Sequence, residues 1–98
     1  MDCLFCKIIA KEIPNYTVYE DENVLAFLDI HPCSEVHTVV IPKKHFADLF
    51  AMSEQDFIKT SDGLKHVISK LQEIINPDGM NIGINNGKAA GQAIGHVH

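Results

Sequence analysis

Apolar residues recur along this chain with two different periods, and each predicts an element type. Phe57, Leu64, Val67, Ile68, Leu71, Ile74 and Ile75 return at intervals of three, four and seven. That spacing gives one apolar face of an amphipathic helix of about twenty residues. Lys59, Asp62, His66, Ser69 and Glu73 fall on the opposite face, so His66 reads as a solvated residue. Ser53 with Asp56 three positions on resembles a capping box with the shorter acid. Asn76-Pro77-Asp78-Gly79 is a stop signal. Gly63 in the middle costs about 1 kcal/mol relative to Ala, and the sequence gives no reason for it. Near the start, Leu4, Phe5, Ile8 and Ile9 predict a short helix over residues 3–10, ended before Pro14.

The other period is two. Residues 16–19 and 24–28 are rich in β-branched, aromatic or aliphatic side chains and flank a polar Glu20-Asp21-Glu22-Asn23 turn, which predicts a hairpin. Residues 37–41 form a third strand, stopped by Pro42, and residues 46–50 a short helical turn. Residues 80–84 alternate Met80, Ile82 and Ile84 with Asn81 and Gly83, the pattern of a half-buried strand. A glycine-rich loop then leads to a last strand at His96-Val97-His98.

Composition narrows the class. The 98 residues make one domain, 46% hydrophobic and 21% charged. A net charge of −5 argues against a nucleic-acid groove. No apolar run reaches ~18 residues, so no membrane span is expected. Asp2, Lys7, Lys11 and Glu12 interrupt any signal-peptide pattern, and a cytoplasmic location is the expectation. Three cysteines there read as thiols or metal ligands, with Cys33 a structural thiol.

The candidate chemistry lies at the two ends. Residues two apart on a strand share a face, so His96 and His98 would project together, roughly 7 Å apart. The plainer alternative is two surface histidines on an edge strand. Cys3-Leu-Phe-Cys6 is half a zinc site or a redox dithiol, although no strand precedes it as a thioredoxin-like motif requires. His45, after two lysines, is a surface histidine or a third ligand. Together Cys3, Cys6, His45 and His96 would make the Cys₂His₂ set that zinc favours. Asp29, where a strand gives way to loop, is a turn former or an acceptor for ribose hydroxyls.

Taken in order, Cys3-Leu-Phe-Cys-Lys-Ile-Ile9, Ala26-Phe-Leu-Asp-Ile30, His37 through Ile41-Pro-Lys-Lys-His45 and Asn85 to His98 closely resemble the histidine-triad (HIT) family, in its Hint-like branch. The resemblance spans essentially the whole chain. It implies an α+β fold, with a five-stranded antiparallel sheet, one long helix and one or two short ones, paired as a homodimer. The family motif is His-x-His-x-His followed by two apolar residues. Here it stops at His98, so the C-terminal part of the domain is expected to be missing. With an α-carboxylate beside the nucleophile, this form is expected to be inactive or very slow.

The resemblance also implies a purine nucleotide substrate and structural zinc on Cys3, Cys6, His45 and His96. It makes His98 the nucleophile of a hydrolase that cleaves nucleoside phosphoramidates or related nucleotidyl bonds through a nucleotidyl-histidine. Asp29 matches the ribose acceptor. Phe5, Ile8, Phe27 and Ile30 match apolar residues around the base, although each is equally explicable as core. Asn85, Gly91, Gln92, Ala93 and Ile94 match the phosphate loop, with Gln92 as an amide donor to developing charge. Ala93 stands where many members place a serine, which removes one hydroxyl donor. Two other readings remain: a zinc-stabilised nucleotide-binding or scaffolding protein, and a redox protein using Cys3 and Cys6.

Overall fold

The computed structural model describes residues 3–29 and 36–98. Helix α1 (Leu4–Ile9) opens them, with Cys3 as its N-cap; the Cys3 Sγ accepts from the Cys6 amide at 3.4 Å. Three strands follow: β1 (Thr17–Glu20), β2 (Val24–Leu28) and β3 (Thr38–Pro42). They form one antiparallel sheet in the order β1-β2-β3. In the hairpin, Tyr19 stands opposite Ala26 and Glu20 opposite Leu25, with an irregularity between Thr17 and Tyr19 that leaves Val18 unmatched. The turn holds because Asp21 Oδ1 accepts the Asn23 and Val24 amides at 2.7 and 2.9 Å, while the Tyr19 hydroxyl donates to Oδ2 at 2.7 Å. Desolvation pushes the Asp21 carboxyl up, but these three bonds outweigh it and leave the group more acidic than usual.

Central strand β2 is covered on both faces. Leu25 and Phe27 join Cys3, Phe5, Ile8 and Ile41 in one buried cluster. The alternate residues Val24 and Ala26 point the other way, toward helix α2 (Glu54–Ile75). There the unexplained Gly63 finds its reason. A β-carbon at Gly63 would overlap both Val24 methyl groups, so only glycine lets the helix come this close. Ser53 caps α2 as expected, accepting from the Asp56 amide at 3.1 Å and donating to the Asp56 carboxylate at 2.8 Å. Asn76 ends it in the left-handed region, at φ 43°.

Two expectations need correction. The sheet among the described residues has three strands, not five: residues 80–84 run exposed with no ladder, and His96 to His98 form no strand. Alternation fixes which way a side chain points but supplies no neighbouring edge, and a strand needs both. The apolar face of α2 is only partly used. Gly63 and Val67 are buried, whereas Phe57, Ile74 and Ile75 are exposed. A helix of 22 residues is about 33 Å long, and a three-stranded sheet is roughly 10 Å across, so the helix is longer than the sheet is wide. His66 is exposed, as expected, and its ring stacks on Tyr19, centroids 5.9 Å apart and planes within 15°. The helical turn expected at residues 46–50 is a 3₁₀ turn at Leu49–Ala51. Cys33 and Ile30 lie outside the described residues.

Candidate functional site

Four side chains from three distant stretches converge beside α1. Cys3 and Cys6 come from the cap and first turn of α1, His45 from the segment after β3, and His96 from the end of the glycine loop. Cys3 Sγ lies 3.4 Å from His96 Nδ1, Cys6 Sγ lies 3.2 Å from His45 Nδ1 and 3.6 Å from His96 Nδ1, and the two Nδ1 atoms are 3.1 Å apart. All four ligand atoms lie within 4.8 Å of one another. Around a tetrahedral zinc, bonds of about 2.0–2.3 Å set edges of about 3.3 Å between nitrogens and about 3.5 Å between nitrogen and sulfur. The set therefore has the size and the donor chemistry for that ion.

His96 is also in the right protonation form. It is fully buried, and its Nε2 lies 2.9 Å from the Pro42 carbonyl. A carbonyl only accepts, so Nε2 carries the proton and Nδ1 offers its lone pair to the cluster. Burial holds the His96 imidazole below its usual range, against the Pro42 bond and aided by the charges of His45 and His98. Burial likewise pushes the Cys6 thiol up, and its hydrogen bond with Cys3 and the Cys3 charge add to this. Two neighbouring thiols resist ionising together, and a bound cation reverses that by drawing off their protons.

His98 sits next to this centre with the opposite tautomer. Its Nδ1 lies 2.7 Å from the His96 carbonyl and donates to it, which leaves Nε2 with the lone pair. The ring is half-buried and meets the edge of Phe5, centroids 5.0 Å apart. Phe5 also meets His96 at 5.8 Å and Phe27 at 5.7 Å, each edge-on. Phe5, Ile8 and Phe27 thus belong to the core cluster, with Ile94 packed against it.

Val97, between the two histidines, is buried and donates its amide to the Phe46 carbonyl at 2.9 Å. That bond fixes the segment that carries both rings. The loop before it turns at Gly87 and Gly91, with φ of 90° and 93° around a 3₁₀ turn, Lys88–Ala90. Asn85 packs beneath Gly91, its amide nitrogen 3.4 Å from where a β-carbon would stand. Gln92 clamps the loop from inside. Its Oε1 accepts the Gly87 amide at 2.7 Å, and its Nε2 donates to the Ala47 and Ile94 carbonyls at 2.7 and 2.9 Å. Both of its N–H groups are thus engaged with main chain. Ala93 and Lys88 are exposed. Asp29 is half-buried, 3.6 Å from His37 Nδ1 by its Oδ2, and its amide donates to the His37 carbonyl at 2.9 Å.

Two supports had no signal in the sequence. The Pro42 and His96 carbonyls set both tautomers, yet any residue carries a carbonyl. Asn86 is a further support without a sequence signal: its Oδ1 accepts the Leu49 amide at 2.6 Å and ties the loop to the segment after β3.

The HIT domain family matches residues 10–98. The chain belongs to the HIT family. An uncharacterized HIT-like protein of Methanocaldococcus jannaschii is 48% identical over 96 residues, covering 98% of this chain and 74% of that one. The adenosine 5′-monophosphoramidase of Schizosaccharomyces pombe is 38% identical over 98 residues, covering 100% and 71%. The crystal structure of a zinc-bound histidine-triad protein from Mycobacterium smegmatis superposes with a TM-score of 0.91 at 39% identity, covering 100% of this chain and 71% of that one. As in other HIT proteins, the fold is α+β with an antiparallel sheet and one long helix. No helix among the described residues is long and apolar enough to cross a membrane.

Proposed function

We propose that this HIT protein is a nucleotide hydrolase that cleaves purine nucleoside phosphoramidates, with His98 as nucleophile. The observation that carries the reading is the His98 tautomer: Nδ1–H is spent on the His96 carbonyl at 2.7 Å, so Nε2 is the free base. A neutral imidazole is both a nucleophile and a leaving group near pH 7. Nε2 would attack the α-phosphorus, the P–N bond would break, and the leaving nitrogen would take a proton from solvent water and depart as the amine. Water would then attack the nucleotidyl-histidine, release the mononucleotide and restore the ring. The relative from S. pombe, named for this reaction, supports the substrate class.

Asp29 would accept the ribose hydroxyls, and Phe5, Ile8, Phe27 and Ile94 would face the base. Asn85, Gly91, Gln92 and Ala93 would form the phosphate loop. Since both Gln92 N–H groups are engaged, Gln92 would shape that loop first and reach a phosphate only by exchanging a bond. Zinc on Cys3, Cys6, His45 and His96 would cross-link the stretches that carry them. The pairing of both thiols with histidine nitrogens favours this over a dithiol redox role. A reducing, cytoplasmic compartment suits thiolate ligands.

A homodimer would cover exposed apolar side chains such as Ile74, Ile82 and Ile84.

The test uses adenosine 5′-phosphoramidate and a chain carrying the complete His-x-His-x-His motif. His98→Ala should lower turnover on the order of a thousandfold or more and leave AMP binding within a few-fold. Turnover that survives His98→Ala overturns the mechanism. A wild-type protein that binds AMP and never turns over leaves the scaffolding alternative in its place.

A further inference from the structure

We propose that Asn86-Gly87 is a latent modification site, a succinimide-forming pair that the Gln92 side chain and the Leu49 amide hold closed. The pair lies in the glycine loop. Glycine puts no side chain beside the attacking nitrogen, so ring closure after Asn meets little steric hindrance there. The chemistry needs only water. The Gly87 amide loses its proton to hydroxide, and its nitrogen attacks Cγ of Asn86. A nitrogen–Cγ bond forms and the Cγ–Nδ2 bond breaks. Nδ2 takes a proton from water and leaves as ammonia. Water then opens the ring at either of its carbonyls. Opening at Cγ gives aspartate at position 86. Opening at the main-chain carbonyl gives isoaspartate, whose main chain runs through Cβ and Cγ. Nothing in this chemistry depends on His98.

Both reacting atoms are restrained in the folded protein, each by a partner from another position in the chain. The nucleophile is held because the Gly87 amide donates to Gln92 Oε1 at 2.7 Å. Gln92 is itself fixed by its donations to the Ala47 and Ile94 carbonyls. The Gly87 carbonyl accepts the Ala90 and Gln92 amides, both at 3.1 Å, so this residue is gripped at both of its polar groups. The electrophile is held because half-buried Asn86 gives its Oδ1 to the Leu49 amide at 2.6 Å, which keeps Cγ from swinging freely toward the Gly87 nitrogen. Amide hydrogen exchange and succinimide closure begin with the same event, removal of the Gly87 amide proton by hydroxide. The bond to Gln92 therefore slows both, and each proceeds from the fraction of molecules in which the loop is open. Once made, the change is one-way. It puts a carboxylate beside Asn85, and isoaspartate adds a main-chain carbon between the Leu49 and Gln92 anchors. The loop that leads into His96-Val97-His98 thus carries an ageing step timed by the opening of its own clamp.

The experiment ages the whole protein at pH 8 and follows aspartate and isoaspartate at position 86 by peptide mass mapping, beside a synthetic peptide of residues 83–90. The folded protein should convert roughly tenfold or more slowly than the peptide. Gln92→Ala should bring the rate to within a few-fold of the peptide's, with the Val24–Leu28 amides still protected from exchange. Isomerisation at the exposed Asp78-Gly79 pair, which lies outside the clamp, should be the same in both proteins. A Gln92→Ala protein that keeps its Val24–Leu28 protection and converts as slowly as the parent overturns the proposal. So does a folded parent that converts at the peptide's rate. If Gln92→Ala loses the Val24–Leu28 protection, the parent decides alone. Its Gly87 amide should then be slowed in exchange by the same factor, within a few-fold, as its conversion at position 86, and a mismatch overturns the shared gate.

Discussion

Gly63 and His96 each owe their importance to an atom that another residue type would change. At Gly63, a methyl group would collide with Val24. Overpacking of this kind costs about 1–3 kcal/mol, partly offset by the roughly 1 kcal/mol of helix propensity that Ala gains over Gly. Gly63→Ala should therefore destabilise the protein by up to about 2 kcal/mol, and should cost less in a Val24→Ala background. Urea midpoints of the four proteins check this; a Gly63→Ala variant more stable than the parent would contradict it. At His96, the folded protein holds the ring below its usual range, so the unfolded chain binds protons more readily. Stability is then fully present above the ordinary imidazole value of about 6.5 and falls as pH drops below it toward the folded value. Denaturant midpoints between about pH 8 and pH 5 should show that decline, and His96→Gln should flatten it.

At the level of elements, helix α2 and the glycine loop are held by single side chains. Ser53 both accepts from and donates to Asp56. Ser53→Ala should cost about 1 kcal/mol, read as a lower urea midpoint with an unchanged slope. Gln92 makes three bonds inside its loop region, so Gln92→Ala should expose the Gly87 amide to rapid hydrogen exchange while the β2 amides stay protected. The hairpin, α1, α2 with its caps and the loop glycines were legible because each carries its own local signal: Asp21 for the turn, Ser53 and Asn76 for the helix ends, Gly87 and Gly91 for positive φ. Met80, Ile82 and Ile84 were misleading because the same local signal says nothing about a partner edge. The four ligands were legible as residue types. Their convergence was not, and neither were the carbonyls of Pro42 and His96 that fix the rings.

For the whole molecule, the candidate centre joins α1, the segment after β3 and the end of the chain's last loop. An ion bound there stabilises the folded state by mass action, about 4 kcal/mol at a thousandfold excess over its dissociation constant. Chelation should lower the melting temperature by several degrees in a way that added zinc reverses, and zinc uptake should release protons from the thiols. A melting curve indifferent to chelator, with one zinc still bound per chain, would remove that role.

Cys3 and His96 stand 93 positions apart yet meet at 3.4 Å. Bringing such distant points together costs about 4 kcal/mol in loop entropy, and that contact cannot form while the chain is still being synthesised short of His96. The hairpin and α2 can assemble first, from near neighbours. The ring from Cys3 to His96 closes after them, so acquisition of the metal follows the assembly of these local elements.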